Sequence, residues 1–351
     1  ERGVEYLKAP VRVMLCPASS GPYLENLARE LQAQGAEVSF VPWFGKQTPY
    51  SVARLLWLRL RGYRLLHINW MPFNHCWQLR LVTRLTKALG IRAVWTIHNV
   101  APHKIQFGSE QRDRAAMRQM FTWADRGVVH SARTREALRD LYGDDLPLNV
   151  IHHGSYADRV ELLDPVEARR ELGVPEDRFA VLMLGPNRWN KGVRAYLEAV
   201  SKLPDDFIGI VAGACPDPEV RRLVLQYHER FPGKFIVDLR RLSDSEVAEH
   251  YAASNLLLMP FESVTTSGTV IEALSYARAV ITTDKGDMHE WVRDGETGFL
   301  IDSVDEIVSR LNAVSRAEAR RMGRNGRELA AQRSWADSAG QYLEIYRDLQ
   351  R

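Results

Sequence analysis

Two segments in the second half of the chain combine small residues with groups that bind anions. The first is Leu184-Gly185-Pro186-Asn187-Arg188-Trp189-Asn190-Lys191-Gly192. Gly185 permits close backbone approach, and Arg188 and Lys191 stand three apart just before a predicted helix. Two cations beside free helix amides suit a diphosphate. A surface turn with solvated side chains would carry the same residues. The second segment runs from Pro260 to Ala273. There Thr265, Thr266, Ser267 and Thr269 crowd around Gly268 where a helix opens. Amides and the helix dipole favour an anion at such a point. A cap needs one hydroxyl, so four point to a ligand. Glu272, one turn inside that helix, is placed to accept hydrogen bonds from ribose hydroxyls.

The first half offers histidines. Thr96-Ile97-His98-Asn99-Val100-Ala101-Pro102-His103 ends a predicted strand, where His98 could hydrogen-bond a sugar or a phosphate. A lone histidine is more often structural. His103 and Asn99 add two polar groups on the same turn. His152-His153-Gly154 stands at the expected crossover between halves and could equally be a hinge. Ser19-Ser20-Gly21-Pro22 is a glycine-containing strand-to-helix turn without the G-x-G-x-x-G spacing, so it does not support a dinucleotide site. No HxH or HExxH spacing supports a metal, and Asp144-Asp145 and Asp205-Asp206 read as turn residues.

These loops need strands to present them. Short apolar runs at Val11–Cys16, Glu37–Val41, Arg64–Asn69, Ala93–His98 and Arg126–His130 alternate with amphipathic helical runs such as Tyr23–Gln34, closed by Gly35. The rhythm breaks around His152–Val166. It resumes with Ala180–Leu184, Phe207–Ala212, Phe235–Leu239, Asn255–Met259, Ala279–Thr283 and Gly298–Ile301. Asp164-Pro165 is a cap-and-first-turn pair opening the second series. A nearly all-helical end, Ala317–Arg351, has a break near Arg333–Ser334. Strand–helix alternation predicts two α/β domains with doubly wound parallel sheets. Ligands in such domains bind beyond the carboxyl ends of the strands.

Length and composition agree. A chain of 351 residues is about twice a single-domain length, with 45% hydrophobic and 26% charged residues. That balance excludes disordered and fibrous classes. The net charge of +3 hides a split: residues 1–150 hold 21 bases and 12 acids, and the remainder 26 and 32. No acid lies between Glu37 and Glu110, a stretch with ten bases. Cys16, Cys76 and Cys215 form no CxxC pair and read as small buried hydrophobes in a reducing compartment. No apolar run reaches the roughly 18 residues of a membrane span, and the N-terminal segment has no signal-peptide profile. The expected location is the cytoplasm, with side-on membrane attachment left open.

In order and spacing, the motifs resemble those of GT-B glycosyltransferases of the family-4 type and nearby bacterial exopolysaccharide mannosyltransferases. The resemblance spans Pro22–Leu24, Ile68–Trp70, His98-Asn99 with Pro102-His103, and His153-Gly154. It continues through Arg188-x-x-Lys191-Gly192, Thr266–Gly268, Glu272, Asp294-Gly295-x-x-Thr297-Gly298-Phe299-Leu300 and Ser334-Trp335. It implies the GT-B fold: two Rossmann-like domains facing a cleft, one acceptor-binding (1–155, with helix 335–351 crossing back) and one donor-binding (165–333). It implies hexose transfer from a GDP- or UDP-sugar to a lipid-linked or saccharide acceptor in polysaccharide or glycolipid synthesis. Arg188 and Lys191 would hold the diphosphate and offset its charge as it leaves, a role that can replace a metal, so no cofactor or metal is expected. Gly185 and the Thr266–Thr269 segment, with the amides of Ser267, Gly268 and Thr269, would assist. Glu272 would hold the ribose, Arg240–Leu242 would lie near the base, and His98 would touch the transferred sugar. Ser20, Gly21, Asn99, His103 and His153 would line the acceptor side. The family's Glu-x7-Glu is broken, because Val264 occupies the first position, with Glu262 two residues earlier.

In the acid-free stretch, bases interleave with Trp43, Phe44, Trp57, Trp70, Phe73, Trp77 and Trp95. That mixture suits an anionic membrane interface. Single-stranded nucleic acid would also fit it, but would leave Arg188–Gly192 and Thr266–Glu272 unexplained, so no nucleic-acid partner is expected. A GT-B sugar-nucleotide 2-epimerase and a non-catalytic nucleotide-sugar or polysaccharide-binding protein are the competing readings.

Overall fold

The alternating apolar and amphipathic runs fold into two parallel sheets in the computed structural model, which describes residues 10–18, 21–45, 47–100 and 105–351. The chain divides into two units. One holds the residues up to Gly154 together with Trp335–Arg351, and the other holds Ser155–Ser334.

The first unit contains β1 (Arg12–Cys16), α1 (Pro22–Ala33), β2 (Glu37–Phe40), α2 (Thr48–Leu60), β3 (Leu65–Asn69) and α3 (Cys76–Ala88). β4 (Arg92–Thr96), α4 (Glu110–Trp123), β5 (Arg126–Val129), α5 (Ala132–Tyr142) and β6 (Leu148–Val150) follow. Its sheet order is β2-β1-β3-β4-β5-β6, all parallel. The order reverses between β1 and β3, the switch point at which α/β sheets open a crevice. β3 is buried at all five positions, as a strand covered on both faces must be.

The second unit opens with α6 (Pro165–Leu172), whose start is capped by Asp164 accepting from the Val166 amide at 2.8 Å. Then come β7 (Phe179–Leu184), α7 (Val193–Lys202), β8 (Phe207–Ala212), α8 (Pro218–Arg230), β9 (Phe235–Asp238) and α9 (Asp244–Ala253). β10 (Leu256–Met259), α10 (Gly268–Ser275), β11 (Ala279–Thr283), α11 (Met288–Trp291), β12 (Gly298–Ile301), α12 (Val304–Ala313) and α13 (Arg316–Ala331) complete it. The parallel order is β12-β11-β10-β7-β8-β9, with its switch point between β7 and β10. Each candidate anion-binding segment of the sequence therefore follows one of the two strands at that switch point. β7, β8 and β10 are wholly buried.

The last helix, α14 (Trp335–Gln350), belongs to the first unit and packs along α1. Its polar groups are tied to the sheet by a buried row. The Tyr346 hydroxyl meets His67 Nδ1 at 2.5 Å, and His67 Nε2 meets Thr96 Oγ1 at 2.7 Å. Thr96 Oγ1 meets the Tyr342 hydroxyl at 2.8 Å, which meets the Tyr23 hydroxyl at 2.8 Å. Gly154 makes room for the start of α14, because a Cβ there would stand 2.3 Å from the Trp335 ring.

Three sequence expectations shift. β4 stops at Thr96, so His98 stands in the loop after the strand. β6 has no apolar run to announce it. Only Cys16 of the three cysteines is fully buried, Cys76 and Cys215 being partly exposed, and all three are free thiols.

Candidate active site

In the second unit, β7 delivers the chain to Gly185. Asn187 is fully buried and staples the loop to the end of β8. Its amide donates to the Ala214 carbonyl at 2.7 Å, and its Nδ2 donates to the Ala212 and Gly213 carbonyls at 3.0 and 3.1 Å. A Cβ on Gly185 would stand 2.9 Å from the Ala214 carbonyl oxygen, so this glycine serves the packing of two chain segments. Residues Trp189–Lys191 form one 3-10 turn, closed by Gly192 at φ 75°. A Cβ on Gly192 would stand 1.8 Å from the Pro260 carbonyl oxygen. Only glycine fits both the backbone angle and the space. The two loops are tied further by the Glu262 amide donating to the Asn190 carbonyl at 3.0 Å.

This seating carries Lys191 over the Phe261 ring, its ammonium 5.0 Å from the centroid. Burial lowers the ammonium's pKa to about 8; the nearby Arg188 charge adds to the shift and Glu272 opposes it. Arg188 is exposed, and among the described residues neither cation has an ion-pair or hydrogen-bond partner for its side chain.

After β10, Ser267 caps α10 by accepting from the Val270 amide at 3.3 Å. Thr266 donates to Asp287 Oδ2 at 2.8 Å, and the Asp287 amide donates to the Thr265 carbonyl at 2.8 Å. Two of the four hydroxyls are thus used in building the loop. Gly268 is exposed, and among the described residues nothing accepts from the amides of Gly268 and Thr269. The Tyr251 hydroxyl donates to Glu272 Oε2 at 3.1 Å and to the Thr269 carbonyl at 3.2 Å. Burial raises the Glu272 carboxyl to about 7, against the Tyr251 hydrogen bond and with Asp244 adding to the rise. Lys191, Arg188, Glu272 and two free helix amides thus gather at one switch point, an arrangement suited to a diphosphate with a polyol beside it.

The first unit gathers histidines at its own carboxyl edge. His98 stacks on Trp70 with centroids 4.3 Å apart and planes 21° apart. Trp70 has φ 57°, a left-handed conformation costing a non-glycine residue about 1–2 kcal/mol. Its carbonyl accepts from Trp95 Nε1 at 2.8 Å, which fixes the turn. His130 Nδ1 donates to the Ile151 carbonyl at 2.9 Å, so the neutral ring turns a bare Nε2 to His98 Nδ1, 3.3 Å away. His98 donates there from Nδ1, and its Nε2 lies 3.4 Å from Asn69 Oδ1. Tyr23, His153 and Trp335 close around the pair, with Tyr23 4.7 Å from His98 and 5.0 Å from His153, centroid to centroid. Burial holds His98 well below the ordinary imidazole range, with His130 and His153 adding to the shift. His98 is therefore a neutral hydrogen-bonding group.

Residues 20–159 match the family model described as Glycosyltransferase Family 4, and residues 178–316 match that described as Glycosyl transferases group 1. The chain is a family-4-like GT-B glycosyltransferase. It is 28% identical over 308 residues to the alpha-maltose-1-phosphate synthase of Mycobacterium tuberculosis H37Rv, covering 78% of each chain. Its fold is similar to that of sucrose-phosphate synthase from Thermosynechococcus elongatus, with TM-score 0.81 and 20% identity over 96% of this chain and 98% of the other. It is also similar to Anabaena HepE, solved with UDP and glucose, with TM-score 0.76 and 17% identity over 96% and 99%.

In this glycosyltransferase the other residues singled out from sequence have surroundings of their own. Arg240 is bound to Asp238 at 3.1 Å and to Glu246 at 2.5 Å, so two carboxylates already match its charge. Leu242 packs against the core. Gly21 sits before α1 at φ 83° with open space around its α-carbon. Asn99 is half-buried beside His98. Ser20 and His103 lie outside the described residues. Val264 packs against the hydrophobic core, and Glu262 is exposed. Among the described residues no group of three or more His, Cys, Asp or Glu is placed to hold a metal ion, and no helix is long and apolar enough to cross a membrane. Sequence reasoning missed Tyr251, Asp287 and His130. Each acts through a partner at least 20 residues away, which no local pattern marks.

Proposed function

We propose that this glycosyltransferase moves a hexose from a nucleotide diphosphate sugar to a lipid-linked or saccharide acceptor, as a step in polysaccharide or glycolipid synthesis. The unpartnered pair Arg188 and Lys191, set with free α10 amides and Glu272, carries the reading. In it, Arg188 and Lys191 bind the diphosphate. As the sugar–oxygen bond breaks, negative charge grows on the leaving phosphate, and two fixed cations stabilise that charge more than they stabilise the ground state. The amides of Gly268 and Thr269 donate to the same anion, and Glu272, oriented by Tyr251, accepts from the ribose. Thr266 and Asp287 hold the loop in shape. The acceptor falls to the first unit, where His98 offers a neutral ring nitrogen to a sugar hydroxyl. The HepE structure with UDP and glucose makes uridine nucleotides the first donors to try.

In a donor-turnover assay Arg188→Ala and Lys191→Ala should each lower kcat/KM at least roughly tenfold, the scale of a lost charge-assisted hydrogen bond, with the far-ultraviolet circular dichroism unchanged. Near-wild-type turnover in both would remove this donor site.

A membrane-facing role for the first unit, at the inner face of the cell membrane, belongs to the same reading. Arg54 on α2 and Arg61 just after it lie 4.5 and 4.7 Å from the Trp57 ring centroid, and Leu60 is 88% exposed. Arginine, tryptophan and leucine together suit an anionic bilayer surface. Vesicle sedimentation should show stronger binding to anionic than to neutral lipid, and equal binding to both would contradict it.

A further inference from the structure

The first unit holds a cavity of about 650 Å³ bounded by the starts of α3 and α4 and by the segments leading into them. The lining includes Asn74, Trp77, Arg80, Gln106 and Arg112, and it contains no aspartate or glutamate. Among the described residues neither guanidinium has a carboxylate partner. The nearby Asp113 is already spent: its two oxygens accept from the Gln106 and Phe107 amides at 2.9 and 2.7 Å. Gly108, at φ 88°, leaves its side open, and the space a Cβ would fill lies 3.7 Å from Arg112 Nη1.

The cavity is joined to the histidine cluster by covalent chain and hydrogen bonds. Gln106 Nε2 donates to the Met71 and Phe73 carbonyls at 3.0 and 2.7 Å. Those residues directly follow Trp70, the ring on which His98 stacks. The segment after β3 therefore runs from His98 at one end to Asn74 and Trp77 at the other.

Two unpaired arginines in an acid-free cavity select an anion, and the planar guanidinium fork matches phosphate oxygens two at a time. The volume falls within the range of small-molecule sites, about 300–1,000 Å³. Trp77, 56% exposed at the rim, offers an apolar face to a sugar ring or an acyl chain. We infer that this cavity is an anion subsite for the acceptor, in which Arg80 and Arg112 grip a phosphate ester borne by a sugar or a lipid. The inference rests on the reading that the first unit takes the acceptor.

The test is isothermal titration of the full chain, without donor, using glucose, glucose 6-phosphate and monomeric short-chain phosphatidic acid. At least one phosphorylated probe should bind more tightly than glucose. The probe that binds names the source, sugar or lipid. That binding should weaken roughly tenfold or more in Arg80→Ala/Arg112→Ala and partly recover in Arg80→Lys/Arg112→Lys. It should persist in Arg188→Ala/Lys191→Ala. Three results would overturn the subsite: no binding of either phosphorylated probe, binding that survives loss of Arg80 and Arg112, or binding lost only with Arg188 and Lys191. Failure of the donor site would leave this titration unchanged, so the two readings fall separately.

Discussion

Lys191 and Glu272 interact electrostatically, and burial brings both groups close to neutrality. Glu272 gains its proton as pH falls through about 7, losing the charged acceptor proposed for the ribose. Lys191 loses its proton as pH rises through about 8, losing the charge proposed for the diphosphate. Because kcat/KM reports groups on the free enzyme, it should be bell-shaped, rising through about 7 and falling through about 8. Interacting groups give apparent values that belong to the pair. Lys191→Arg should abolish the alkaline limb, and an unchanged limb would assign it elsewhere. Arg188, Lys191 and Glu272 stand out in the sequence through loop chemistry and spacing. Gly185, Thr266 and Ser267 stand out in the same way, and in the structure their groups meet other parts of this chain. Asp287 shows why: burial raises its carboxyl to about 8, and its bond to Thr266 exists only once β10 and β11 lie side by side.

Elements set these positions through close approaches that tolerate no side chain. The 3-10 turn Trp189–Lys191 reaches the segment after β10 only because Gly192 has no Cβ. Gly192→Ala would add a left-handed alanine, costing about 1–2 kcal/mol, and a clash with the Pro260 carbonyl costing about 1–3 kcal/mol more. It should lower the melting temperature and weaken donor binding together. Full donor affinity in a destabilised variant would show that the turn does not position Lys191. Most strands were legible because a parallel strand covered on both faces reads as a nearly continuous apolar run, as in β7 and β8. β6 was not, because it is three residues long and its middle position is exposed. The break between α13 and α14 was legible at Arg333–Ser334. The Tyr–His–Thr–Tyr–Tyr row binding α14 was not, since it joins residues up to 319 positions apart.

At the scale of the molecule, acid should act on the first unit before the second. His67, His130 and His153 are held neutral in the folded unit by burial, at about 3, 4 and 3, against an ordinary value of 6.5. His98 is shifted in the same direction. Stability from these groups is present above 6.5 and is lost as pH falls below it, because only the unfolded chain takes up protons there. Each contributes a slope of about 1.4 kcal/mol per pH unit. Hydrogen exchange between pH 7 and 5 should therefore show protection falling first within 10–154 and 335–351, and uniform loss would contradict it. The charge split legible in the sequence acquires a location here. The surplus of base includes Arg54 on α2, Arg61 just after it, and Arg80 and Arg112 around one cavity, while Arg188 and Lys191 stand within the acidic half.

The central claim is that Arg188 and Lys191 hold a nucleotide diphosphate sugar. A ligand that binds only the folded state raises the melting temperature by mass action. A thermal-shift panel of UDP- and GDP-sugars tests the claim directly, on the wild type and on Arg188→Ala/Lys191→Ala. At least one nucleotide sugar should raise the wild-type melting temperature, and this shift should disappear in the double variant. No shift with any of them, or an equal shift in the variant, would contradict it.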